Sequence, residues 1–150
     1  MRDRLLFSGA ALLGLVLAGC MASGNTQSDV KQAAVTGSVA YRERMALPAD
    51  AVVEVRLSDV SRQDVAAPVI AETTVMPAGR QIPIPFELRY DPDKIEPKRT
   101  YALRATISSA GRMMFTTTNS YPVITRGNPT KVNLMLERVA AGPNSGSRPR

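Results

Sequence analysis

The chemistry open to this sequence centres on one thiol, because Cys20 is the only cysteine among 150 residues and histidine is absent. A lone cysteine cannot close an internal disulfide. Without histidine the chain lacks the usual general base near neutral pH and the commonest protein ligand of zinc or copper. What remains is covalent chemistry at the Cys20 sulfur, since a thiolate is a strong side-chain nucleophile.

The residues ahead of Cys20 predict a use for that sulfur. Two arginines among the first four residues precede an uncharged apolar stretch, residues 5–18. At about 1.5 Å per residue this stretch is too short for a bilayer core of about 30 Å, and the pattern is typical of a secretory signal peptide. It ends in Leu17-Ala18-Gly19-Cys20, which resembles the bacterial lipobox. We therefore expect residues 1–19 to be a cleaved signal peptide.

Cys20 is then expected to carry covalent diacylglycerol and an N-acyl chain. Two or more acyl chains anchor a protein firmly, whereas a single chain binds membranes reversibly. Met21 stands where bacterial lipoproteins retained in the inner membrane usually have aspartate, so the resemblance implies the outer membrane, with the domain facing the periplasm. The alternative is a buried structural cysteine behind a short core helix, but the charge, the length and the tetrapeptide all favour lipidation.

The other polar residues do not predict catalysis. Ser28-Asp29-Val30-Lys31 matches an S-x-x-K spacing, but it lies in residues 20–34, whose small and polar composition is typical of a flexible tether. Asp91, Asp93 and Glu96 offer carboxylate oxygens, yet a calcium site needs six to eight ligands and the EF-hand spacing is absent. We therefore expect no metal, no cofactor apart from covalent lipid, and no small-molecule substrate.

The chain is basic, with a formal net charge of +6. Such a charge favours acidic partners, anionic lipid or lipopolysaccharide. The basic residues nevertheless alternate with acidic ones, as in YRERM, SRQD and PDKIEPKR, which is typical of a solvated surface. We expect no nucleic-acid partner.

Period-2 alternation dominates residues 35–139 and predicts strands. Residues 51–57 place apolar side chains on one face and Arg56 on the other, and residues 101–107 do the same with Arg104. Short strands separated by turn signals predict an all-β fold, a small antiparallel β-sandwich of about seven to eight strands. The predicted segments are a signal peptide (1–19), a lipidated tether (20–34), the β-sandwich (35–139) and a disordered tail (140–150).

One strand carries prolines on its outer face. Pro83 and Pro85 remove two N–H donors from one side, which a central strand does not tolerate, so this strand is expected at a sheet edge or at a bulge. Two roles of this edge remain possible. The prolines can protect it from edge-to-edge aggregation, or the edge can bind a peptide. The face predicted to be buried carries Ile82, Ile84, Phe86 and Leu88.

A second apolar run follows the turn signal Ala110-Gly111. Strict alternation sends Met113 and Phe115 to one face and Met114 to the other. Only one of these faces can belong to the core, so at least one large apolar side chain is expected at the surface unless a bulge intervenes. The candidate partner-binding residues are Ile82, Ile84, Met113, Met114 and Phe115.

Several long stretches resemble the YbaY/YscW-type lipoprotein domain over about residues 35–139. They are GSVAYRERMALPADAVVEVRLSDVSRQD, APVIAETTV, IPIPFELRYDP, TYALRATI and YPVITRG. The resemblance implies a small β-sandwich on a bacterial outer-membrane lipoprotein. It also implies that some members act as pilotins, which carry a type III secretion secretin subunit to the outer membrane, while others are general envelope lipoproteins, the branch this sequence resembles more. It transfers a role to Cys20 alone.

Three functions are compatible with these features. The first is a non-enzymatic binding module that escorts or stabilises an envelope protein, such as a secretin-like subunit, near the membrane. The second is a structural envelope lipoprotein with weak, salt-sensitive contacts to lipopolysaccharide or peptidoglycan. The third, an enzyme that uses the carboxylates of Asp91 or Asp93, is not favoured by these residues, and we expect the protein not to be an enzyme.

Overall fold

The fold consists of strands and turns. The computed structural model describes residues 31–140, and the predicted signal peptide, Cys20, most of the tether and residues 141–150 lie outside this range. Within residues 31–140 the one helical element is a 3₁₀ turn, Pro92–Lys94, and no helix there is long and apolar enough to cross a bilayer. The predicted all-β class is confirmed. The strands are β1 (Ala33–Tyr41), β2 (Val52–Asp59), β3 (Val69–Val75), β4 (Ile84–Tyr90), β5 (Tyr101–Ser109), β6 (Arg112–Thr116), β7 (Tyr121–Val123) and β8 (Lys131–Arg138).

The strands form one sheet that curls until its ends meet. Its order is β3-β2-β5-β6-β8-β1-β4, and β7 pairs with β5 beside β6. The outermost strands, β3 and β4, lie next to each other, so the two halves of the sheet enclose the core as the predicted sandwich requires. One ladder departs from the antiparallel prediction, because β1 and β8 run parallel. These are the first and last strands, so their connection is long enough for a parallel pair.

The core is built from the faces that the alternation predicted to point inward. Successive side chains of a strand point to opposite faces of the sheet, and in β2 and β5 the inward positions are almost inaccessible to solvent. Ala51, just before β2, is buried with them. Burial of such apolar side chains stabilises the fold by about 25 cal/mol per Å². The buried residues of this region are Ala51, Val53, Val55, Leu57, Tyr101, Leu103, Ala105 and Ile107.

The proline-bearing strand lies at a sheet edge, as predicted. β4 is the last strand of the order and forms its ladder with β1. Pro83 and Pro85 are exposed, and Pro85 lies opposite Ser38 of β1. Ile84, Phe86 and Leu88 are buried, whereas Ile82 precedes the strand and is half-buried.

β1 begins two residues earlier than the predicted domain. Ala33 and Ala34, placed at the end of the tether by composition, pair with Tyr90 and Arg89 of β4. The chain therefore enters the sheet at Ala33, along the edge strand.

Candidate functional site

The run of Met113, Met114 and Phe115 contains a β-bulge. Phe115 lies opposite Ile107, but Met113 lies opposite the next residue, Ser108, so Met114 has no partner on β5. An extra residue in one strand reverses the facing of the residues beyond it. Met113 is 54% exposed and Phe115 is fully buried. The prediction from strict alternation that Met113 and Phe115 share one face is therefore wrong, because the bulge lies between them.

The bulge decides which predicted residues a partner can reach. Phe115 stacks on Tyr41 in the core, with ring centroids 4.2 Å apart and an interplanar angle of 10°, and Ile84 is also buried. Neither is accessible on the folded surface, so neither can contribute to a surface contact. Met113 and Met114 line a shallow groove with Val139, and Ile82 lies apart from it.

Two of the three acidic side chains considered for calcium, those of Asp91 and Glu96, have structural partners. The Asp91 side chain accepts a hydrogen bond from the Asp93 N–H at 3.0 Å and so caps the 3₁₀ turn. Glu96 forms an ion pair with Arg99 at 2.9 Å. Over residues 31–140 no group of three or more histidine, cysteine, aspartate or glutamate residues is arranged to hold a metal ion.

A second groove, which sequence reasoning did not single out, crosses the outer face of β2 and β5. We call it the arginine groove. Arg56 and Ser58 of β2 and Ala102 and Arg104 of β5 contribute to its floor. One wall comes from the β2–β3 loop and the other from the β6–β7 loop. The groove has a volume of about 450 Å³, and its lining residues are Arg56, Ser58, Val60, Ala67, Val69, Ala102, Leu103, Arg104, Thr117, Thr118, Asn119 and Ser120.

Two arginines lie directly opposite each other on the floor of this groove. Arg56 and Arg104 are partners in the antiparallel ladder between β2 and β5. Arg56 pairs with Glu54 on its own strand and with Glu72 of β3, the latter at 3.3 Å. Arg104 makes no ion pair with any carboxylate of residues 31–140. The positive charge of the groove is therefore concentrated at Arg104.

The first wall is held by a buried carboxylate at the end of β2. Asp59 accepts a hydrogen bond from the Ser61 N–H at 2.9 Å on Oδ1 and one from Arg99 Nη1 at 2.7 Å on Oδ2. Hydrogen bonds from Ser61, reinforced by Arg99, lower the pKa of Asp59 to about 2 against the opposing effect of burial. The Val60 N–H donates to the Thr100 carbonyl at 2.9 Å. The β2–β3 loop is therefore tied at its start to the segment before β5.

The second wall forms where β5 exchanges one partner strand for another. Thr106 of β5 pairs with β6, and Leu103 pairs with β7. Between them the Thr117 N–H donates to the Ala105 carbonyl at 3.0 Å, and the Ala105 N–H donates to Thr117 Oγ1 at 3.3 Å. These bonds satisfy the buried backbone and fix the loop that flanks Arg104.

The sequence carried part of the signal for this groove. Alternation assigned Arg56 and Arg104 to the outer faces of two strands, and both are exposed. It did not show that the two strands are neighbours, nor the register that makes the two arginines partners. Each strand has an arginine in the middle of its outer face, but these two arginines indicate a common site only when the pairing of β2 with β5 is known.

Known proteins resemble this chain over most of the described domain. The family model described as "Type III secretion system lipoprotein chaperone (YscW)" matches residues 30–136. The lipoprotein YbaY of Escherichia coli (strain K12) is 37% identical over 114 residues, which are 76% of this chain and 60% of that protein. The match therefore covers about three fifths of the length of that relative.

A solved structure extends the likeness to three dimensions. The structure of an alternative pilotin from the type II secretion system of Vibrio cholerae is 44% identical, with a TM-score of 0.72. The match covers 74% of this chain and 100% of the pilotin chain. The family is described by a chaperone role and not by catalysis. The chain belongs to the YscW family of lipoprotein chaperones.

Proposed function

We propose that this chain is a lipoprotein of the bacterial outer membrane that faces the periplasm and escorts or stabilises an envelope protein, as a pilotin does. The client that fits this role best is a secretin-like subunit. In this proposal Cys20 carries the lipid, residues 21–32 act as the tether, and the β-domain binds the client without chemical change. Two or more acyl chains on one cysteine make the anchor firm.

One observation carries the proposal most strongly. The match to the alternative pilotin covers the whole of that solved chain at 44% identity, so the two proteins share the complete β-domain and not a fragment of it. Fold alone does not imply function, but 44% identity over the whole of that chain is a likeness of sequence as well as of fold. The family description as a lipoprotein chaperone supports the same role.

The surface of the β-domain supports binding rather than catalysis. Within residues 31–140 the carboxylates near the grooves serve as caps or ion-pair partners, as Asp59 and Glu72 do. The exposed Met113 and the arginine groove instead offer apolar and charged contact area. Such a surface fits a protein whose work is to hold a segment of another chain.

Membrane fractionation of cells that express the wild-type chain or Cys20→Ser tests the anchor and the escort together. We expect the wild type in the outer-membrane fraction and labelled by a fatty-acid analogue. Cys20→Ser should take up no label and leave that fraction. Met21→Ala, next to the anchor, is the matched control and should behave as wild type.

The client is identified in the same experiment by comparing outer-membrane proteomes. One envelope protein should decrease in the outer membrane when the chain is deleted or carries Cys20→Ser, and return with the wild type. A weakened barrier with no redistributed protein would instead favour the structural role in contact with lipopolysaccharide or peptidoglycan.

A further inference from the structure

We propose that the arginine groove binds an acidic segment of the client protein, with a client carboxylate held by Arg104 beside Arg56. This inference rests on the proposed function for the existence of a client, and it assigns the client's chemistry and the face that meets it. It differs from a contact at Met113 and Met114, which line a separate groove near the end of β8.

The first argument is the unbalanced charge on the floor. Partners in an antiparallel ladder have Cα atoms about 4.5 to 5.5 Å apart, and like charges directly opposite each other destabilise a sheet. Glu54 and Glu72 offset the charge of Arg56, but no residue from 31 to 140 offers Arg104 a carboxylate. A carboxylate from outside would supply the missing partner, and the planar guanidinium can bind it through two parallel hydrogen bonds.

The second argument is the arrangement of apolar surface around that charge. Val69 is 50% exposed and Val60 is 37% exposed on the loop side of the groove. Ala102 lies on the floor between them and the opposite wall. An acidic side chain flanked by an apolar one would therefore find both a cation and an apolar contact. Phosphate-bearing lipid headgroups would use the arginines but not this apolar strip.

The third argument is that the groove is already shaped without a ligand. Asp59 fixes the first wall through Ser61 and Arg99, and Thr117 fixes the second through two bonds to the Ala105 backbone. Thr118, Asn119 and Ser120 beyond Thr117 supply polar groups for a peptide backbone. A site that needs no ordering on binding loses less conformational entropy when the partner arrives.

The charge arrangement gives a variant that separates binding from stability. Arg104→Glu places a carboxylate opposite Arg56, which turns a repulsive cross-strand pair into an attractive one. Because Arg56 already pairs with Glu54 and Glu72, the gain is small, and the variant should fold about as stably as the wild type while repelling an acidic client. A residue with only a structural role would show the opposite, a loss of stability on substitution. Arg112→Glu, an exposed arginine on β6, is the matched control for the change of charge.

The test is photocrosslinking of the full lipoprotein in living cells. A benzophenone amino acid replaces Thr118 on the groove wall or, as the second position, Met113. Crosslinked peptides are identified by mass spectrometry. We expect the Thr118 position to capture one client segment that contains aspartate or glutamate. Arg104→Glu should lower that yield by about tenfold or more, with no drop in the thermal midpoint, and Arg112→Glu should leave it unchanged.

The other outcomes overturn the inference in distinguishable ways. Protein captured at Met113 but not at Thr118 would leave the escort role standing and place the client elsewhere. Capture of lipid alone at Thr118, or of a protein segment without a carboxylate, would show that the groove does not bind an acidic client segment. No protein captured at either position would count against the escort proposal itself. An undiminished yield in Arg104→Glu would exclude recognition through the arginine.

Discussion

Gly37 and Val132 are partners in the parallel ladder between β1 and β8, and a Cβ atom at residue 37 would overlap the Val132 carbonyl oxygen. Phe86 of β4 lies on the other side of the same position. Only glycine allows this approach of two backbones. The contact joins the first strand of the chain to the last at an internal ladder of the sheet.

Gly37→Ala should therefore destabilise the fold strongly. Because the overlapped atom belongs to the backbone, relief requires β1 and β8 to separate, and we expect a loss of about 3 kcal/mol or failure to fold. Gly111→Ala is the matched control. Its position has open space and a φ of 73°, so only the left-handed strain of about 1 to 2 kcal/mol applies. Urea unfolding measures both, and equal losses would contradict the close approach.

Truncation of the two residues that flank the bulge should give very different losses. Phe115→Ala removes a fully buried ring that stacks on Tyr41, and we expect a loss of about 3 to 5 kcal/mol. Met113→Ala changes an exposed side chain and should stay within about 0.5 kcal/mol of wild type. Denaturant unfolding compares the two. Similar losses would mean that both residues share one face, as unbroken alternation requires.

A tyrosine hydroxyl stands where β7 and β8 lie side by side without a ladder. The Met135 N–H donates to Tyr121 Oη at 3.0 Å, and the Tyr121 O–H donates to the Met135 carbonyl at 3.1 Å. Tyr121→Phe leaves both backbone groups unpaired and should lower the free energy of unfolding by about 1 to 3 kcal/mol. Amide hydrogen exchange should accelerate at Met135 more than at Leu134. Equal acceleration would indicate global loosening instead.

Acid should destabilise the fold through Asp59. Its folded-state pKa of about 2 lies below the unfolded value of about 3.9, so its ionisation stabilises the fold above pH ~4. This contribution disappears as the pH falls towards about 2. Asp59→Asn should lower stability by about 1 kcal/mol at pH 7 and should show a shallower loss between pH ~4 and pH ~2. The pKa of Asp50 is also lowered, by the Ser109 hydroxyl and the Ala110 N–H, so some acid dependence persists. An unchanged slope in Asp59→Asn would contradict the assignment.

Facing within a strand could be predicted from the sequence because it is a local property. The period of two put Val53, Leu103 and Ile107 inside, and they are buried. The prolines at 83 and 85 gave the edge position of β4, since each removes a donor that a central strand needs. The turn at Ala110-Gly111 could be predicted for the same reason, from its own two residues. Both have positive φ, and they connect β5 to β6 directly.

Pairing between strands could not be predicted in the same way. Alternation does not tell which strands are neighbours, so it missed the parallel ladder through Gly37 and the meeting of Arg56 with Arg104. It also failed at Met114, where a single extra residue reverses the faces and where no glycine or proline marks the bulge. The arginine groove depends on all of these long-range relations, and for that reason it emerged only from the fold.

The central claim is that this lipid-anchored domain holds one client protein at the outer membrane. A pull-down from detergent-solubilised envelopes, with the wild type and Cys20→Ser side by side, measures this most directly. The account predicts one stoichiometric protein partner, which leaves the outer-membrane fraction when Cys20 is changed. Recovery of lipid and glycan alone, decreasing as the salt concentration rises, would contradict it.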